Sequence, residues 1–357
     1  MTSAPEARRI DYLDGLRGLA ILGVMLWHYT DEVYAALLPY GAAYASIPII
    51  DRGWVGVNLF FLISGFVILL SLERYPGYGA FLKRRWLRLF PAMLIASLIV
   101  FGASQINADH MPHGRASIQD LMPGLTFISV GFYAEFLPFP VRELDGVYWT
   151  LYVEAGFYVV FGALFYALGW QRALTALAGL WVFVLAGADI AAEIGHAGLQ
   201  TGFRYLQWIG AEYFGWFVSG ALFYKARQMT SLLLFLAAIV TGLVSAMTSD
   251  LWQPDDLVSQ LHLCGCVILF ALALKSPQLQ TALRIKPMIF MGFISYPLYL
   301  LHNEFGIGLI SAVGAVLPSN LSWAPAVFVA GVTITLSYIV AKLAEPALRK
   351  VLQGRIQ

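Results

Sequence analysis

The sequence predicts an all-α polytopic membrane protein with about ten transmembrane helices and both termini in the cytoplasm. Three observations carry this. Of its 357 residues, 59% are hydrophobic and 12% are charged, where soluble domains carry about 25% charged residues. Mean hydropathy is +0.72. The apolar residues fall into runs of about 20, the length that crosses a bilayer core about 30 Å thick. The basic residues are also asymmetric. With the N-terminus inside, the inside loops and helix ends collect eighteen of the 22 Lys and Arg, and only Arg52, Arg115, Arg142 and Arg204 fall outside. That is the bias expected of a correctly oriented chain.

The expected spans are about 16–37, 53–73, 89–106, 147–168, 173–192, 206–224, 230–249, 257–274, 288–315 and 323–344. The ninth is long enough to tilt or break. One outer loop, 107–146, is the only large extramembrane piece, so a single membrane domain is expected over 1–357. The first apolar run carries Arg17 and His28 and is followed by further spans, unlike a cleavable signal. The inside positions include Arg8 and Arg9 before span one, the cluster Arg74, Lys83, Arg84, Arg85 and Arg88, and Arg349, Lys350 and Arg355 in the tail. A formal net charge of +1 gives no reason to expect a nucleic-acid partner. Cys264 and Cys266 lie within an apolar run without metal-ligand companions and read as buried thiols.

Polar residues within apolar spans are costly and usually functional. Arg17 and His28 are eleven residues apart, so on a helix they share nearly one face about 16 Å apart, with Asp14 close to the same stripe. The bland alternative is an Arg that snorkels to the interface and a His satisfied by a neighbour. Counted along the spans, His28, Glu154 and His302 share a layer in the outer half of the membrane, while Arg17, Arg85 and Arg88 share one at the cytoplasmic face. Imidazoles and carboxylates in one layer can exchange protons. Glu154 and His302 can equally serve helix packing. Arg85 and Arg88, three apart on one face, suit bidentate phosphate binding, although a basic loop also anchors a membrane protein. A metal hydrolase built on Asp109, His110 and His113 is the weaker alternative, because their spacing lies in a loop, and no metal is expected. A proton-coupled secondary transporter of a small solute is the alternative reading of the buried Arg, His and Glu, but the half-chains show no two-fold repeat.

Five motifs in order resemble the acyltransferase-3 family of membrane O-acyltransferases. They are Tyr12-Leu-Asp-Gly-Leu-Arg-Gly-Leu-Ala with His28, Gly56-Val-Asn-Leu-Phe-Phe-Leu-Ile-Ser-Gly-Phe, Phe81-Leu-Lys-Arg-Arg-Trp-Leu-Arg-Leu-Phe-Pro, Tyr148-Trp-Thr-Leu-Tyr-Val-Glu-Ala-Gly-Phe-Tyr, and Ile294-Ser-Tyr-Pro-Leu-Tyr-Leu-Leu-His. Thr150 stands where the family usually has Ser, and Ala155-Gly156 replaces its common Glu-Gln. The SGNH-type hydrolase domain of many relatives does not follow the last span, so the stand-alone form is expected, acylating its acceptor directly or through a separate partner protein.

The resemblance implies an enzyme of the cell envelope, in the bacterial inner (cytoplasmic) membrane. It would move an acyl group, acetyl foremost, from cytoplasmic acyl-CoA to a hydroxyl of a carbohydrate, glycan or macrolide acceptor. Arg85 and Arg88, with Arg17 nearby, would hold the acyl-CoA phosphates. His28 would be general base or transient acyl carrier, and Glu154 would orient it. Asp14, Ser64, Tyr148, Trp149, His302 and Asn303 are candidates for catalytic or oxyanion support. Trp54 and Trp149 suit sugar stacking at the outer mouth. The acceptor, the acyl chain and any homo-oligomer stay open.

Overall fold

A computed structural model describes residues 10–47, 50–248 and 257–355. Arg8, Arg9 and the short outer connection 250–256 lie outside the described residues. Among these there is no β-strand. The helices, in chain order, are α1 (Asp11–His28), α2 (Gly56–Leu72), α3 (Tyr78–Ile106), α4 (Met122–Thr126), α5 (Val130–Phe136), α6 (Trp149–Ile194), α7 (Ala197–Trp208), α8 (Phe214–Met229), α9 (Leu232–Met247), α10 (Leu257–Lys275), α11 (Pro277–Leu283), α12 (Lys286–Leu301), α13 (Glu304–Gly314), α14 (Ala324–Ile339) and α15 (Glu345–Arg355).

Among the described residues, five stretches are long and apolar enough to cross a membrane: Gly53–Leu72, Tyr78–Ile106, Trp149–Ile194, Leu257–Lys275 and Ala324–Gly354. Leu232–Met247 and Glu304–Gly314 are apolar but shorter. The chain is an integral membrane protein.

Several helices depart from the expected spans, and each departure bears on the site. α1 ends at His28 rather than near residue 37. Its last carbonyls are taken by Tyr29 N, by Thr30 N and by the Thr30 hydroxyl, which donates to Leu26 O and Trp27 O. His28 therefore sits at a helix end. α3 begins at Tyr78, eleven residues before the apolar stretch, so Arg84, Arg85 and Arg88 ride on a helix rather than in a loop. Lys and Arg are good helix formers, and apolar content alone does not mark where a helix starts. The expected spans four and five are one helical stretch, α6, interrupted at Gly169 with φ 77°, a backbone that glycine adopts without strain. The expected span nine is broken in two at His302–Asn303, with α12 before the break and α13 after it.

The framework is close helix packing through small residues. α1 lies along α12, and an added Cβ would stand 2.2 Å from Met288 O at Gly18 and 1.9 Å from Asp14 O at Gly292. α2 and α8 meet in the same way, Gly65 against Phe217 O and Gly220 against Leu62 O, each leaving 2.0 Å for a Cβ. With no side chain between them, the α1 and α12 backbones run near enough for residues at their ends to touch.

Candidate active site

α1 ends at His28 and α12 ends beside His302, and the two buried imidazoles meet there. His302 Nε2 lies 3.1 Å from His28 Nδ1, with ring centroids 4.9 Å apart. The hydrogen-bond network assigns the tautomers. His302 Nδ1 faces two backbone carbonyls, Tyr299 O at 2.9 Å and Leu298 O at 3.1 Å. Carbonyls only accept, so His302 Nδ1 carries the proton and its Nε2 presents a lone pair. His28 Nδ1 faces that lone pair and, at 3.0 Å, Val24 O. It therefore also carries the proton, and His28 Nε2 is left with a bare lone pair. In chemical terms the arrangement presents a lone pair on His28 Nε2, with a second imidazole behind the ring.

Glu154 is elsewhere. Its carboxylate accepts from the Ser64 hydroxyl at 2.8 Å and from the Tyr158 hydroxyl. It lines a cavity together with Arg17, Arg85, Arg88, Tyr296 and Tyr299, with Phe60, Phe61 and Leu151 among its apolar walls. The expected Glu154–His28 pair is thus replaced by His302–His28. Counting along spans gives depth only. Which face of α6 meets which neighbour is set by packing, and Glu154 turns toward α2 and α3.

The cavity adjoins a wider opening and shares Arg17, Arg85 and Arg88 with it. That opening, about 1820 Å³ with the open space outside its mouth included, is also lined by Arg74, Arg84 and Arg349. Arg17 is paired with Asp14 at 2.9 Å, and Arg349 with Glu345. Among the described residues, Arg74, Arg84, Arg85 and Arg88 have no carboxylate within ion-pair distance. Arg85 is buried between the rings of Phe81 and Tyr158, and its Nε has no hydrogen-bond partner. Unpaired guanidiniums around an open volume suit an anion chemically. The basic cluster was visible in the sequence, but Arg349 was read only as a basic tail residue. It joins the site because α15 folds back onto α3, where Arg349 Nε donates to Leu87 O at 3.2 Å.

The remaining candidates are more tightly engaged. The Tyr148 hydroxyl donates to Leu300 O at 3.3 Å, and Asn303 Nδ2 donates to Asp145 Oδ1 at 2.8 Å. Ser64 donates to Glu154. These donors are held by the protein itself rather than aimed together at a substrate oxygen. Trp149 packs on Phe61 and Tyr213. Trp54 is buried, so it offers no stacking face. Two residues had no signal in the sequence: Asp145, buried near the end of the 107–146 loop, and Glu304, whose carboxylate accepts from His113 N at 2.9 Å and pairs with His113 Nδ1 at 2.6 Å. His110 turns instead to Ser311. Burial pushes the carboxyl of Asp145 up to about 7, reinforced by the charge of Glu304. Burial also pushes Glu143 up to about 7, and the bond to Glu304 raises His113.

A family model described as an acyltransferase domain matches residues 10–342. Acyltransferase MdmB of Streptomyces mycarofaciens is 30% identical over 164 residues, 44% of this chain and 39% of its own length. O-acetyltransferase OatA of Staphylococcus aureus strain NCTC 8325 is 27% identical over 168 residues, 43% of this chain and 24% of its own. A protein of Staphylococcus aureus strain COL, provisionally named an O-acetyltransferase, is 27% identical over 175 residues, 45% of this chain and 25% of its own. The matched region thus spans less than half the length of these curated relatives. No solved structure matches the chain significantly.

Proposed function

The chain belongs to the acyltransferase-domain family, and from that membership and the site geometry we propose that it is a membrane O-acyltransferase. It moves an acyl group, acetyl foremost, from acyl-CoA to a hydroxyl of a carbohydrate, glycan or macrolide-type acceptor. The observation that supports this reading is a pair of adjoining volumes that share Arg17, Arg85 and Arg88. An arginine-lined mouth opens into a cavity. Tyr299 lines that cavity and places its ring 5.5 Å from His302, the residue behind His28; the two imidazoles lie behind Tyr299 and do not themselves line the cavity.

In this reading the acyl-CoA phosphates bind Arg85 and Arg88, with Arg17, Arg74, Arg84 and Arg349 around them. The pantetheine arm enters the cavity. His28 Nε2 takes the proton of the acceptor hydroxyl as its oxygen bonds to the thioester carbonyl carbon. The C–S bond then breaks, and the imidazolium gives its proton to the leaving thiolate, so the products are an ester and free CoA thiol. His302 stabilises the His28 imidazolium through its Nε2 lone pair. Glu154 balances the arginine charge at the cavity.

The topology of the proposal is ten spans with both termini and the arginine mouth in the cytoplasm, and the 107–146 loop outside, in a bacterial inner membrane. The basic-residue asymmetry supports this orientation. The test is mass spectrometry of host glycans and small metabolites with and without the gene, and with His28→Ala. An acyl mass that appears with the parent and is missing from the other two supports the proposal. The same acyl mass in all three refutes it.

A further inference from the structure

The imidazole pair lies beside a helix break, and the break has an identifiable clasp. Asn303 separates α12 from α13 with φ −82° and ψ −86°, outside the helical region. Interrupting a helix strands backbone groups that must find other partners. Three of the groups exposed here have one. Tyr299 O, which a continuous helix would pair with Asn303 N, accepts from His302 Nδ1 at 2.9 Å. Leu300 O accepts from the Tyr148 hydroxyl at 3.3 Å. Glu304 N, the first amide of α13, donates to Asp145 Oδ2 at 3.1 Å. Asp145 Oδ1 takes Asn303 Nδ2 at 2.8 Å and Val147 N at 3.1 Å. Asp145 is fully buried, at 0% exposure, so no water can substitute for it.

The consequence reaches the base. The break leaves Tyr299 O unpaired by the backbone. That carbonyl, the nearer of the two that face His302 Nδ1, helps Leu298 O hold the proton there, which leaves the lone pair of Nε2 toward His28. We propose that Asp145 is a positioning residue of the active site: by clasping Asn303 and the first amide of α13 it holds open the helix break that fixes the His302 tautomer and, through it, the orientation of His28. The inference rests on the reading of His28 as the base only for its effect on turnover; the tautomer is a property of the resting protein.

The experiment uses the full chain in detergent, labelled with 15N-histidine. Imidazole spectra report the tautomers, with the two signals identified by their loss in His28→Gln and His302→Gln. The parent is expected to show both rings protonated on Nδ1. Asp145→Asn, nearly isosteric, places an amide donor against N–H donors. It should turn His302 into a mixture of tautomers and slow release of free thiol from acetyl-CoA by about tenfold or more, while the acetyl-CoA KM stays unchanged. The exchange variant, Asp145→Asn with Asn303→Asp, rebuilds the bond with reversed polarity and should restore the single tautomer. An unchanged single tautomer in Asp145→Asn overturns the proposal, as does a parent with His302 protonated on Nε2. If Asp145→Asn does not fold, Asn303→Ala removes the 2.8 Å bond with every charge kept, and an unchanged tautomer there is equally fatal. Full turnover in His28→Gln would instead refute the functional reading and leave the tautomer result standing.

Discussion

His302 Nε2 stands 3.1 Å from His28 Nδ1, joining the end of the first helix to a break 274 positions later in the chain. The pair leaves His28 Nε2 as the one imidazole nitrogen with an uncommitted lone pair. His28→Ala should therefore slow transfer by about 10²–10⁴-fold, the usual weight of a general base, while acyl-CoA still binds at the arginine mouth. Thiol release from acetyl-CoA and equilibrium CoA binding measure the two separately. Loss of CoA binding along with rate would move His28 to the donor site.

Arg88→Glu should abolish CoA binding while the protein still inserts. The mouth gathers guanidiniums without carboxylate partners, and reversing one leaves an uncompensated negative charge beside the ligand phosphates. Arg88→Lys should recover only part of the affinity, because a point charge lacks the bidentate fork. Normal CoA affinity in purified Arg88→Glu would remove Arg88 from the donor site.

Gly292→Ala tests whether the close approach of α1 and α12 supports the pair. A Cβ there would stand 1.9 Å from Asp14 O, so the helices must separate. Overpacking of this kind costs about 1–3 kcal/mol. A lowered Tm with a disproportionate fall in turnover is the expected result; a parent-like Tm would show that the contact gives way freely.

Cysteine labelling from outside should reach positions in 107–146 and miss 75–84. Outside labelling of 75–84 would put the arginine mouth on the wrong face for cytoplasmic acyl-CoA and invert the orientation.

The 107–146 loop should loosen as pH rises. In the folded chain Asp145 and Glu143 titrate near 7, against about 4 in an unfolded chain. Between those values the folded state holds protons that the unfolded state has lost, so stability is full below about pH 4 and falls as pH rises toward 7. His113 is also raised, and its contribution is lost in the same direction as pH climbs through its folded value. Amide exchange across 107–148, corrected for intrinsic rate, should be faster at pH 8 than at pH 5.5. Equal or slower exchange at pH 8 would contradict the burial argument.

The sequence by itself determined the solvent and the chemistry. A chain with so few charges and so many apolar runs can only satisfy its backbone in a bilayer as helices. The few polar residues inside those runs, Arg17, His28, Glu154 and His302, were therefore conspicuous, and so was the basic stretch before Leu89. What the sequence could not decide was which of them touch. Depth follows from counting along a helix, but the face a residue presents depends on neighbours hundreds of positions away. Glu154 and His302 had similar claims on His28 by depth. The glycine contacts of α1 with α12 and the break at Asn303 decided for His302. Asp145 shows the limit most plainly: in sequence it is one acid in a polar loop, and only burial against a broken helix makes it the clasp of that break.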